Sequence, residues 1–148
     1  MEKKKKKDNV LPIKDAFKVL GYIFAAILIS ACSGTHQFPT SEVLPAAEAK
    51  VDINQNENRN YEIELEVENI ARPDRLTPSR NNYVVWMETK DHGVVNLGNL
   101  RINSKNKASL ETVTPYIPLR IFITAENGRN VMRPSTQVVL NSGNLNID

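Results

Sequence analysis

Between Tyr61 and Glu68 the chain alternates without a fault. Tyr61, Ile63, Leu65 and Val67 occupy one parity, and Glu62, Glu64, Glu66 and Glu68 the other. Successive side chains on a β-strand point to opposite faces, whereas a helix would spread these residues around its circumference. The segment therefore predicts a strand with one face on a core and the other in water. The same period runs through Ala47, Ala49, Val51 and Ile53. Tyr83 to Glu88, Tyr-Val-Val-Trp-Met-Glu, is apolar at both parities until its last residue, which suits a strand covered on both faces. Val94 to Ile102, Ala108 to Val113, Leu119 to Glu126 and Gln137 to Leu140 supply four more strands. Lys90-Asp91-His92-Gly93 reads as a hairpin loop, with Gly93 free to take positive φ. Pro73, Pro78, Pro115, Pro118 and Pro134 fall between these runs or at their ends, where a missing N–H does little harm. No stretch beyond Ala46 carries a sustained helical stripe. Seven short strands in about 100 residues predict an all-β fold, an immunoglobulin-like β-sandwich over residues 47–148, with a small barrel as the alternative. Trp86 is expected to pack between the sheets. With Cys32 the only cysteine, no inter-sheet disulfide exists and the fold must rely on its apolar core.

The charge is unevenly placed. Seven of the 19 basic residues but only three of the 17 acidic ones lie in residues 1–31, so the remainder is mildly acidic. That remainder has no electrostatic footprint for nucleic acid. Lys3 to Lys7 form a basic block, and from Val19 to Ala31 run thirteen uncharged residues. As a helix this run would reach roughly 20 Å, short of the roughly 30 Å hydrocarbon core. A basic region, a short apolar run and small residues form the pattern of a secretory signal, here residues 1–31. Leu28-Ile29-Ser30-Ala31-Cys32 resembles the lipobox of bacterial lipoproteins. The resemblance implies cleavage between Ala31 and Cys32 and transfer of a diacylglyceryl group to the Cys32 thiol, with acylation of the new amine possible in that family. Two or more acyl chains give stable membrane attachment without a spanning helix. Residues 32–46, with Gly34, Pro39 and Pro45, read as the lipidated cysteine and a flexible tether. No acidic residue follows Cys32 closely, so the resemblance implies an outer-membrane position facing the periplasm.

A second resemblance covers about residues 61–141. Leu76-Thr77-Pro78, Tyr83-Val84-Val85-Trp86, Asn96-Leu97-Gly98, Leu110-Glu111-Thr112 and Phe122-Ile123-Thr124-Ala125-Glu126 resemble bacterial periplasmic domains. The Tyr-Val-Val-Trp run with its following Leu-Gly is also similar to the extracytoplasmic domain of anti-sigma-K-type regulators. The chain departs from that family in having no sigma-binding domain ahead of its apolar segment. The resemblance thus implies a fold and a role outside the cytoplasm, not sigma-factor sequestration.

Candidate sites are few. The connection from Asn69 to Asn82 holds Arg72, Arg75 and Arg80, stiffened by Pro73 and Pro78. Loops at the end of a sandwich are common binding surfaces, and three guanidiniums suit carboxylate or phosphate groups. The alternative is that they pair with the neighbouring glutamate strand. The glutamates read as a solvated face paired across strands rather than a cation site, and Tyr83 and Trp86 as core. His36 and His92 are far apart and read as loop residues, so no metal ligand set is expected, and no cofactor. The chain has no GxSxG elbow, no glycine-rich phosphate loop and no HExxH. The leading expectation is a lipid-anchored periplasmic binding or scaffolding module without enzymatic activity, held by membrane lipid through Cys32 and serving an envelope protein. A regulatory sensor acting in trans on an envelope-stress or anti-sigma system is the first rival, and an envelope hydrolase the second.

Overall fold

The alternating segment is a strand, and seven others join it. A computed structural model of the protein describes residues 34–147. Its strands are β1 (Thr35–Gln37), β2 (Glu48–Gln55), β3 (Tyr61–Glu68), β4 (Asn82–Thr89), β5 (Gly93–Ile102), β6 (Ala108–Thr114), β7 (Pro118–Glu126) and β8 (Val138–Asn141). The described region is all-β, as the alternation predicts, with a single 3-10 turn at Pro73–Arg75. The strands form one antiparallel sheet in the order β1-β2-β3-β6-β5-β4-β7-β8. It curls into a half-barrel, so the two layers expected of a sandwich are two halves of one sheet.

β5 joins the halves. Its first part pairs with β4, Gly93 opposite Thr89 through Leu100 opposite Tyr83. Its last two residues, Arg101 and Ile102, pair with Ser109 and Ala108 of β6. The bend is local: the β4–β5 register shifts between Val85 and Trp86, and Gly98 has φ +138°. A Cβ at Gly98 would also stand 3.1 Å from Leu110 Cδ1, so both backbone angle and space favour glycine there.

Val51, Ile63, Leu65 and Val67 from the first half meet Tyr83, Val85, Met87, Ile121, Ile123 and Leu140 from the second, all buried. Each such aliphatic side chain contributes roughly 1.5–3 kcal/mol on leaving water. All seven predicted strands are present within a residue or two of their bounds, and Lys90–His92 turn into Gly93 at φ +69°.

Three expectations need correction. First, much of the segment read as tether is docked. β1 pairs with β2, the Phe38 N–H donates to the Ala49 carbonyl at 2.9 Å, and Leu44 is buried. Three residues are too few to show a period, so β1 leaves no alternation to read. Second, Trp86 is buried but not between the layers. Tyr83, Val85 and Met87 take the inner face of β4, which turns Val84 and Trp86 outward. There they pack with Phe122 beneath Val131 of the β7–β8 loop. The two-sided apolar run was therefore read correctly, but its second cover is a loop. Third, His36 lies in β1, and its Nε2 stands 3.0 Å from the Ser142 carbonyl. With the Ser41 hydroxyl donating to the Val139 carbonyl, this contact ties the β1 side of the sheet to the β8 side and blunts both edges.

Candidate functional site

The register sorts the loops into two ends. β3 finishes at Glu68, β4 begins at Asn82, β5 finishes at Ile102 and β7 finishes at Glu126, all at the same end. The connections 69–81, 103–107 and 127–137 therefore converge. Between them lies a cleft of about 630 Å³, lined in part by Arg72, Arg80, Arg101, Arg129, Asn82 and Asn103. Volumes of this order suit a small ligand or part of a larger one.

Each wall is fixed locally. Asn69 leaves β3 at φ 54°, and buried Ile70 pins the start of the first connection, its N–H donating to the Asn106 carbonyl at 3.0 Å. Pro73 opens the 3-10 turn, and the Arg80 N–H donates back to the Pro73 carbonyl at 3.0 Å. The buried Tyr83 hydroxyl donates to the Ala71 carbonyl at 3.0 Å. Burial, with Asp74 adding to it, raises the Tyr83 pKa to about 12, so this phenol keeps its proton at neutral pH.

The 127–137 loop is held by side chains of β5 and of Asn81, just ahead of β4. Asn81 and Asn99 amides donate to the Asn127 and Arg129 carbonyls at 3.1 and 3.2 Å, and the Asn96 amide to the Val131 carbonyl at 3.1 Å. Beneath the loop, Trp86 Nε1–H donates to Thr124 Oγ1 at 2.8 Å, and the Thr124 hydroxyl donates to Glu126 Oε1 at 2.6 Å. The same carboxylate oxygen accepts the Ser135 N–H at 2.7 Å. A buried acid needs such donors, since burying a charge without them is costly.

The guanidiniums are lightly used. Arg72 Nη2 stands 3.3 Å from Asp74 Oδ2, with both side chains more than half exposed. Arg80 Nη1 donates to its neighbour Ser79's carbonyl, and Arg129 Nε to Asn82 Oδ1 at 3.2 Å. Arg101 has no side-chain hydrogen bond or ion pair among the described residues. Asp74 is the single carboxylate among the cleft's lining residues. Four cations against one anion make a cleft suited to carboxylate or phosphate, which arginine meets with two parallel N–H donors.

Of the three arginines singled out in the sequence, Arg72 and Arg80 line the cleft, while Arg75 lies exposed outside it. None pairs with the glutamate strand. There Glu66 pairs with Lys50 at 2.8 Å and Glu68 with Lys107, and the Glu66 partner raises the Lys50 pKa. Arg101 and Arg129 were missed. They lie 21 and 49 residues beyond Arg80, and only the strand register brings them to it. Ala31 and Cys32 lie outside the described residues. No family model, no curated protein and no solved structure matches this chain.

Proposed function

We propose that this chain is a lipid-anchored binding module of the bacterial envelope, without enzymatic activity, which holds an anionic group of a partner protein in its arginine-lined cleft. The observation that carries this reading is the convergence of Arg72, Arg80, Arg101 and Arg129 on one cleft with Asp74 as its single carboxylate. The loops that carry Arg72, Arg80 and Arg129 are held by hydrogen bonds to their backbone, and walls held in place lose less freedom on binding than a mobile loop does. The anchor is supported by the basic block, the short apolar run and the Leu28–Cys32 lipobox resemblance. With no acidic residue just behind Cys32, the reading places the protein at the outer membrane, facing the periplasm.

Two experiments test the reading. Cys32→Ala should leave an unprocessed precursor carrying no fatty acid; normal cleavage with labelled lipid in that variant contradicts the anchor. The full-length protein, cross-linked in its envelope and captured at low salt, should bring down a protein partner that is lost when the capture is repeated at high salt, because exposed charges are screened within about 8–10 Å at moderate ionic strength. A partner held equally at both salts does not use the arginines.

A further inference from the structure

The opposite end of the domain has different chemistry. Of the seven large apolar side chains left in water among the described residues, four collect there, Val94 (44% exposed), Val113 (58%), Ile117 (36%) and Leu119 (37%), while Met132 stands alone on the β7–β8 loop at the cleft end. Val94 is second in β5, Val113 is next to last in β6, Ile117 sits in the β6–β7 loop and Leu119 is second in β7. The short loops at this end are joined into one tip. The Lys90 N–H donates to the Ile117 carbonyl at 3.3 Å, and the His92 ring packs on Tyr116 with centroids 4.3 Å apart. The tip's charges are few: Lys90 and Arg59 stand against Asp91, Glu57 and Glu62, the last opposite Val113, leaving one negative charge in excess.

The chain also enters the domain here. Thr35 opens β1 opposite Asp52, in the half of β2 that runs toward the β2–β3 loop. Thr35 is three residues beyond Cys32, a stretch that reaches about 10 Å at full extension. A lipid on Cys32 would thus keep the bilayer close to the very end that exposes these side chains. At that range even a weak apolar contact is populated, because the anchor makes it intramolecular.

We infer that this end, with Ile117 and Leu119 at its tip, rests on the lipid surface, which turns the arginine cleft away from the membrane. The inference rests on the anchor proposed above. Strands of eight residues, at about 3.3 Å each, put roughly 26 Å between the two ends. The cleft would then open toward partners beyond the headgroups rather than toward the headgroups themselves.

The test uses the full-length lipidated protein in phosphatidylcholine vesicles with brominated acyl chains, which quench tryptophan at short range. Ile117→Trp places a reporter at the apolar tip, Leu119→Trp repeats it, and Met132→Trp, on the β7–β8 loop, reports on the cleft end. Trp86 is buried and gives a common background. Both tip reporters should lose emission in brominated vesicles, and Met132→Trp should not. Equal quenching at both ends, with lipid on Cys32 shown by mass spectrometry and co-flotation, overturns the orientation and leaves the anchor standing. A Cys32 without lipid overturns both.

Discussion

The two ends of the domain are closed by the same strands yet built in different ways. The end near the chain's entry has three short connections, 56–60, 90–92 and 115–117, where polar turn residues alternate with the exposed apolar side chains of Val94, Val113, Ile117 and Leu119. The far end has long connections, 69–81 and 127–137, together with 103–107. Long loops hold a fixed shape only if something below them supplies hydrogen bonds. Here the asparagine amides of 81, 96 and 99 and the Glu126 carboxylate do so. The contrast shows how one sheet can carry a plain end and an organised one. The long loops are held by side chains from outside them, whereas the short turns are bonded by Thr89, Thr114 and Asn56 at their own ends.

The support can be broken. Trp86 seats the 127–137 loop through packing and through its bond to Thr124. Trp86→Ala should cost about 3–5 kcal/mol, as large-to-small changes at buried aromatics do. Thermal unfolding of the full-length protein measures this, and an unchanged midpoint would show that the loop does not depend on its seat. At the short-loop end the buried hydroxyls act within single turns, Thr89 on Gly93 and His92 and Thr114 on Tyr116, and none of these bonds involves the Ile117 side chain, so exposed substitutions at Ile117 should stay within about 0.5 kcal/mol.

A second prediction sharpens the contrast through Tyr83, which underlies the cleft. Its folded pKa of about 12 lies above the value near 10 of an unfolded tyrosine. Below pH 10 both states hold the proton and the difference has no effect. From pH 10 to about 12 only the native state holds it, so unfolding gains and stability falls, by about 2–3 kcal/mol in all. Tyr83→Phe loses the bond to Ala71 but should flatten that alkaline fall. A Phe variant whose stability drops as steeply as the wild type's over this window contradicts the account.

The strands were legible because burial on one face leaves a period, and β3 shows it without interruption. The outward turn of Trp86 was not, since a two-sided apolar run says that something covers the second face without saying what. β1 was too short to show a period at all. In the site, Arg72 and Arg80 could be read as a pair because they share one loop. Arg101 sits inside a strand pattern and Arg129 in a polar turn, so neither has a local signal. The β4–β5 hairpin register would have placed Arg101 beside Asn82, whereas Arg129 comes there only through the non-consecutive pairing of β4 with β7. Arg75 belongs to the same loop but faces away, a distinction set by the 3-10 turn.

The central claim is that the four cleft arginines act together while Arg75 does not. Citrate titrated into the full-length protein at low salt tests it directly, comparing wild type, Arg101→Gln/Arg129→Gln and Arg75→Gln. A hydrogen bond to a charged group is worth about 1.5–3 kcal/mol and 1.4 kcal/mol is tenfold in affinity, so the double variant should bind at least about tenfold more weakly. Arg75→Gln should bind as the wild type does, and all three should lose affinity as salt rises. Undiminished binding by the double variant, or an equal loss from Arg75→Gln, would contradict the cleft as the binding site.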